Sequence, residues 1–287
     1  MRSPTLAQAN KCFPGPDLTK PAPGTFTTRE PALRSRDPTT SPERHSPVTN
    51  ALDPVDALAD LATPATSNGL IPVGAEPRIG SDDRNNHVVI DPSILYLGTP
   101  VLLISTLNAD GSANLAPTSS SWFLDKTGVL GIGSRSHTIE NLRRCGEVVL
   151  NFPSVDLVDA VDRLAGTTGS DPLPEYKQAM GFRSVKDKFA LAGLTPQPSE
   201  LVAPPRALEA PIQLEARVLD IHDVGDPDEH TTAVVVQVVR THIAKNIQRP
   251  GHRHHVDPDR WRPLIMNFLE FYGLGEQVHP SHLAEIF

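Results

Sequence analysis

From residue 86 onward, apolar positions gather into short runs of strand length separated by turn residues. Pro100–Leu107 (PVLLISTL) is dense in branched side chains, and the Asn108-Ala109-Asp110-Gly111 stretch behind it has hairpin-turn chemistry. Residues 113–124 (ANLAPTSSSWFL) resume an extended pattern, interrupted by Pro117 and a run of hydroxyls, and 129–133 and 147–152 predict two further strands. Between these last two, Ile139 and Leu142 stand at helical spacing, which predicts a helix over 138–144 stopped at Gly146. Ser154 is placed to cap a second helix over 155–165, with Leu157, Val158, Val161 and Leu164 on one stripe and Gly166 at its end. Residues 167–205 carry turns, prolines and two brief helical patterns, around 176–180 and 187–192, and form an excursion rather than a domain. Residues 212–224 alternate well, 232–243 form the strongest strand, and 264–272 read as a helix. About six or seven strands, few long helices and no βαβ rhythm predict a mainly β domain, a small closed barrel with peripheral helices.

The first 85 residues change the picture. Residues 1–84 hold thirteen of the 29 prolines and two of the fourteen aromatics, Phe13 and Phe26. Such a segment buries too little apolar surface to offset its ordering entropy of about 1–2 kcal/mol per residue, so 1–85 is expected to be a disordered, Pro-rich tail before a domain at 86–287. The 287-residue chain carries 26 Lys and Arg against 34 Asp and Glu, a formal net charge of -8, which argues against nucleic acid as a partner. No uncharged apolar run reaches the roughly 18–20 residues needed to span a bilayer, so no membrane association is expected. Two cysteines, Cys12 and Cys145, are too few for a disulfide scaffold or a thiolate zinc cluster, and a cytoplasmic setting is the expectation.

Two stretches carry candidate chemistry. Gly133-Ser134-Arg135-Ser136-His137-Thr138 runs into the first predicted helix, whose free N–H groups, hydroxyls and one guanidinium are the parts needed to hold a phosphate monoester. Ser136 or Thr138 acting only as a helix cap accounts for the same residues without a ligand. Thr118-Ser119-Ser120-Ser121-Trp122-Phe123 puts a line of donors beside two aromatics, suited either to a flat heterocycle or to a solvated strand edge. Gly131-Ile132-Gly133 lacks the third glycine of a dinucleotide fingerprint and the ending of a P-loop. His252, His254 and His255 lack a carboxylate or thiol at ligand spacing and read as a solvated loop, and no metal site is expected. No Ser-His-Asp ordering or paired-carboxylate spacing stands out, so no catalytic side chain is assigned.

The order of these features resembles the flavin reductase-like family, the FMN-binding split β-barrel proteins of flavoredoxin type. The resemblance lies in a T-x-x-x-x-G-x-x-N-x-A-P-x-S turn, here Thr106 through Gly111 and Asn114 to Ser119, and an R-x-x-T-x-x-N helix start at Arg135, Thr138 and Asn141. Residues 187–192 with Leu194-Thr195-Pro196, residues 212–215 and the closing WRPLIMNFLEFYGLG extend it over roughly 86–287. It implies a homodimeric barrel holding FMN noncovalently near the subunit interface. It places Asn114, Pro117, Thr118, Ser119, Ser120, Ser121 and Trp122 along the isoalloxazine and ribityl chain, and Ser134, Arg135, Ser136, Thr138 and Asn141 at the phosphate. Many relatives have Lys or Asp where this chain has Ser136, so the cationic charge is expected to rest on Arg135 and the helix end. The implied activity is NAD(P)H-dependent flavin reduction, with FMN or FAD as flavin, NADH or NADPH as donor, and a partner oxygenase as one recipient. A one-component FMN oxidoreductase with its own small substrate and a non-catalytic flavin-binding module are the alternatives.

Overall fold

The computed structural model describes residues 87–285 apart from 93, 227 and 229; the expected tail, 1–85, lies outside the described residues. The main sheet has seven antiparallel strands: β2 (Leu102–Leu107), β3 (Ala113–Thr118), β4 (Ser121–Leu124), β5 (Thr127–Gly133), β6 (Glu147–Phe152), β11 (Ile212–Val224) and β12 (Thr231–Ile243). Their spatial order is β3-β2-β6-β11-β12-β5-β4. The two edge strands are therefore consecutive in the chain, joined only through Ser119 and Ser120. Gly131 N–H donates to Ser120 O at 2.7 Å and Thr118 Oγ1 to Gly131 O at 3.4 Å, which draws the bend onto β5 and curls the sheet into a split barrel.

The core has two layers. Inside the barrel, Leu102, Ile104, Leu130, Val148, Leu150, Val234 and Val236 meet Ile139 and Leu142 of helix α1 (His137–Cys145), which plugs one end. On the other face of β2 and β3, Val101, Leu103 and Leu115 are covered by Val161 of α2 (Val158–Asp162), by Leu164 just beyond it, and by Phe189 and Ala192 of α4 (Lys188–Ala192). Strand β2 is buried on both faces, so its apolar residues do not alternate with exposed ones, and its two polar residues, Ser105 and Thr106, are buried as well. Helix α1 follows its sequence signals: Ser136 Oγ accepts from Ile139 N–H at 3.3 Å, and Gly146, at φ 69°, ends it in the left-handed conformation that glycine adopts without strain.

Several expectations are corrected. The run at 100–107 is divided: Pro100 ends β1 (Leu97–Pro100), which pairs with β13 (Leu264–Asn267) in a separate small sheet. The helix expected over 155–165 shrinks to a 3-10 turn and the five-residue α2, because Ser154 Oγ bonds Asp156 instead of capping the backbone. Residues 264–272 are not a helix but the hairpin of β13 and β14 (Glu270–Gly273), turned by Phe268 and Leu269 at φ 46° and 70°. Two non-glycine residues in left-handed conformation give no turn signal to read.

The 167–205 excursion contains β7 (Thr167–Thr168), α3 (Glu175–Ala179), β8 (Arg183–Ser184), α4 and β9 (Pro196–Gln197); β10 (Arg206–Ala207) returns to pair with β9. The chain between β9 and β10 is strapped across β6 and β11. Glu215 on β11 accepts the N–H groups of Glu200 and Leu201 at 2.9 and 2.6 Å, and Glu147 on β6 accepts that of Ala203 at 2.9 Å.

Candidate functional site

A cleft of about 440 Å³ opens where β3, the start of α1 and the excursion meet. Asn114 and Ala116 come from β3, Arg135, Ser136, His137 and Thr138 from the helix start, and Thr168, Gly169, Tyr176, Lys177, Phe182 and Lys188 from the excursion. Beneath it a polar network fixes α1 on the β2–β3 hairpin. Asn141 Nδ2 donates to Thr106 Oγ1 and Asn108 Oδ1, both at 3.0 Å, and Arg144 donates to Asn141 Oδ1 and Leu107 O. His137 Nε2 lies 2.8 Å from Asn108 Oδ1 and its Nδ1 3.0 Å from Glu140. Asn141→Ala leaves Thr106, Asn108 and Arg144 with unmet bonds, and a loss of about 1–3 kcal/mol is expected in urea unfolding; an unchanged midpoint would remove the network's structural role.

The cleft is electropositive. Among the described residues, three cationic side chains, Arg135, Lys177 and Lys188, line it, and no carboxylate does. Lys188 is 3% exposed and Lys177 8%. Burial, with the nearby Lys177 charge adding to it, pushes the Lys188 ammonium down to about 8. Burial likewise lowers Lys177, opposed by the attraction of Glu140. Tyr176 ties α3 to the helix start: its hydroxyl donates to Arg135 O at 2.8 Å, and the Arg135 guanidinium lies 5.3 Å from its ring centre. Asn114 adds the complementary feature. Its Nδ2 donates to Thr106 Oγ1 at 3.3 Å, while its buried Oδ1 has no hydrogen-bond partner among the described residues. Buried acceptors are nearly always satisfied, so this orphan carbonyl at the cleft wall points to a ligand donor.

The structure brings together four of the sequence-predicted residues, Asn114, Arg135, Ser136 and Thr138. Ser134 faces a neighbouring hollow with His230 and Asp223, and Asn141 lies below the cleft with its amide engaged as described. Pro117, Thr118, Ser119, Ser120, Ser121 and Trp122 do not line the cleft; Thr118 and Ser120 hold the barrel seam, Ser119 is buried, and Trp122 stands 57% exposed on the β4 edge. Besides Arg135 and the helix end, the structure places two further cations, the buried Lys177 and Lys188, at the cleft. A readable signal for Lys188 existed: it occupies a buried position on the same short helix as Phe189 and Ala192, where an apolar residue is usual. Lys177, in a five-residue helix, carried none.

The arrangement suits an FMN-type ligand. Lys177, Lys188 and Arg135 match a phosphate, Asn114 Oδ1 matches a hydroxyl or ring N–H, and Ala116, Met180 and Phe182 offer apolar walls. Among the described residues no group of His, Cys, Asp and Glu is arranged to hold a metal ion, and no helix is long and apolar enough to cross a membrane.

Comparison with known proteins identifies the family. Residues 95–274 match the family described as "Flavin reductase like domain". The chain belongs to the flavin reductase-like family, whose members are flavin-linked oxidoreductases. It is 37% identical over 207 residues to YdfE of Bacillus subtilis (strain 168), described as uncharacterized, covering 72% of this chain and 99% of that one. Among solved structures it is similar to flavoredoxin of Desulfovibrio vulgaris (Miyazaki F), with 20% identity, a TM-score of 0.56, and 69% and 98% of the two chains covered. It is also similar to nitrilotriacetate monooxygenase component B from Bacillus cereus (22%, TM-score 0.53, 75% and 100% covered) and 2-nitrobenzoate 2-nitroreductase NbaA of Pseudomonas fluorescens (19%, 0.52, 66% and 86%). These likenesses establish the split-barrel fold.

Proposed function

We propose that the chain binds FMN noncovalently in this cleft and acts as an NAD(P)H-dependent flavin reductase. The observation that carries the reading is a cation-lined cleft with an orphaned acceptor, in a chain of the flavin reductase-like family. Bound flavin supplies the hydride-accepting chemistry, so the protein needs no acid or base of its own. Its side chains orient and shield. Arg135, Ser136 and Thr138 with the two lysines hold the phosphate, Asn114 Oδ1 fixes a donor of the ribityl chain or ring, and Met180, Phe182 and Tyr176 exclude water.

The hydroxyl bend at 118–121 and Trp122 contribute to this reading through a second subunit. The β4 edge exposes Trp122 and Leu124, the latter at 71%, an apolar surface suited to a homodimer that brings this edge to a cleft. A one-component oxidoreductase with its own small substrate is the second reading. It is favoured by the excursion, which walls the cleft with residues from Thr167 to Lys188. The name of the Bacillus cereus relative, a monooxygenase component, supports a partner oxygenase instead.

A visible spectrum of the purified protein, before and after anaerobic NADH or NADPH, tests the proposal. Bleaching of a flavin band is the expected result. Colourless protein that takes up no FMN and oxidises no NAD(P)H with added flavin would end the proposal. Tight retention of FMN through gel filtration with turnover of a small substrate selects the one-component reading. Arg135→Ala is expected to weaken FMN about fivefold, the worth of an exposed charge contact, and to leave riboflavin unchanged. Equal loss for both ligands removes the phosphate role of Arg135.

A further inference from the structure

We propose that Lys177 and Lys188, with the Thr168 hydroxyl, form the principal receptor for a dianionic phosphate monoester, and that Arg135 is only its rim contact. The proposal deepens the flavin reading and rests on it for the identity of the rest of the ligand. It puts the weight of phosphate binding on the excursion wall of the cleft rather than on the helix start.

The geometry of the two lysines carries it. Lys188 is buried to 3% exposure and lines the cleft, and among the described residues its ammonium has neither a carboxylate nor a hydrogen-bond acceptor as partner. Lys177 Nζ donates to Thr168 Oγ1 at 2.9 Å, and it too lacks a carboxylate in ion-pair contact. Desolvating two like charges with no carboxylate in ion-pair contact among the described residues is unfavourable, and the attraction of Glu140 for Lys177 only partly opposes it. Phe189 and Ala192, on the same helix as Lys188, enter the apolar core. An external anion is the partner that makes this arrangement reasonable. Two ammonium groups and a hydroxyl match a compact dianion, whereas a monoanion leaves one charge uncompensated. Arg135, by contrast, is exposed and laid over Tyr176, on the helix that carries Lys177.

The charged and titratable groups facing the pair are Arg135 and His137 from the helix start, His230 before β12, Tyr176 of α3, and Glu140 of α1 acting on Lys177. With its ammonium held down to about 8 in the free cleft, Lys188 loses its proton as pH rises past that value. A bound dianion favours the charged form, so binding above this pH takes up a proton and affinity declines.

The test measures FMN, riboflavin and inorganic phosphate binding by calorimetry to wild type, Lys188→Met, Lys177→Met and Arg135→Ala, at pH 7 and 9. Both methionine variants remove a desolvated charge and are expected to keep their melting temperatures. FMN affinity is expected to fall about 10- to 100-fold in each, more than in Arg135→Ala, with riboflavin unchanged and phosphate binding lost. Wild-type affinity for FMN, but not riboflavin, is expected to drop from pH 7 to 9, and Lys188→Met to flatten that drop. Wild-type FMN affinity in the methionine variants, or parallel loss of riboflavin, overturns the receptor while leaving the flavin reading standing. Phosphate binding that depends on Lys188 in a protein that takes up neither flavin supports the receptor and ends the flavin reading. Lys177→Met probes the same receptor from another helix, so misfolding of Lys188→Met alone leaves the question decidable.

Discussion

Glu215→Ala is expected to destabilise the protein by about 3–5 kcal/mol, the loss typical when one partner of a buried charged network is removed. Glu215 is fully buried, and its carboxylate accepts from the backbone of Glu200 and Leu201 and lies 2.7 Å from His242 Nε2, with Arg206 3.9 Å away. Alanine leaves two N–H donors, an imidazole and a guanidinium without their common acceptor and releases the strap between β9 and β10. For a folded part of about 200 residues the melting temperature should drop by roughly 6–20 °C. The acid limb carries a second signature. Burial alone would raise the carboxyl above its ordinary 4.5, but the two N–H groups and His242 together more than reverse that, and it sits lower. A lowered carboxyl stabilises the fold fully above its unfolded value, and that contribution disappears as pH falls through the lower folded value. Wild type should therefore lose stability below about pH 4.5 more steeply than the variant. A melting temperature within two degrees of wild type would show that the strap is held by other contacts.

Gly169→Ala is expected to weaken FMN and riboflavin alike, about 10- to 100-fold. A Cβ at this position would stand 2.6 Å from His137 Cδ2 and 2.8 Å from Asn114 Oδ1, far inside van der Waals contact. Neither neighbour gives way freely. His137 is held between Asn108 and Glu140, and Asn114 is bonded to Thr106. The displaced atom of Asn114 is the orphan acceptor, so the distortion falls on the cleft wall rather than at the phosphate end. Fluorescence titration with both ligands separates this effect from the lysine variants, which spare riboflavin. Undiminished affinity for both would mean that the wall relaxes without touching the ligand.

Much of the barrel was legible because its signals are local. The Asn108–Gly111 turn, the capping serine and terminal glycine of α1, and the long alternating pair β11 and β12 all form as read. The helix start at Arg135 to Thr138 was legible for the same reason. What failed to show depended on partners distant in sequence. The 268–269 turn has no glycine or asparagine, so hairpin and helix gave the same apolar pattern. The bend at 118–121 reads as a line of donors, but two of its hydroxyl residues are spent on closing the barrel against Gly131. Lys177 and Lys188 become neighbours of Arg135 only once the excursion folds over α1, and no spacing rule within 40 to 50 residues of chain records that.

The strand order sets a demand on folding speed. Strand β5 pairs with β12 across about a hundred residues, Thr231 opposite Gly133, and β6 with β11 across about sixty, Ile212 opposite Phe152. Such distant pairings place a chain among the slow folders, in the millisecond-to-second range. The segment bearing both lysines is looped out between β6 and β11, whose pairing brings its two ends together. A ligand that binds only the finished cleft, as FMN does in the proposed function, would therefore rescue a weakened variant by mass action.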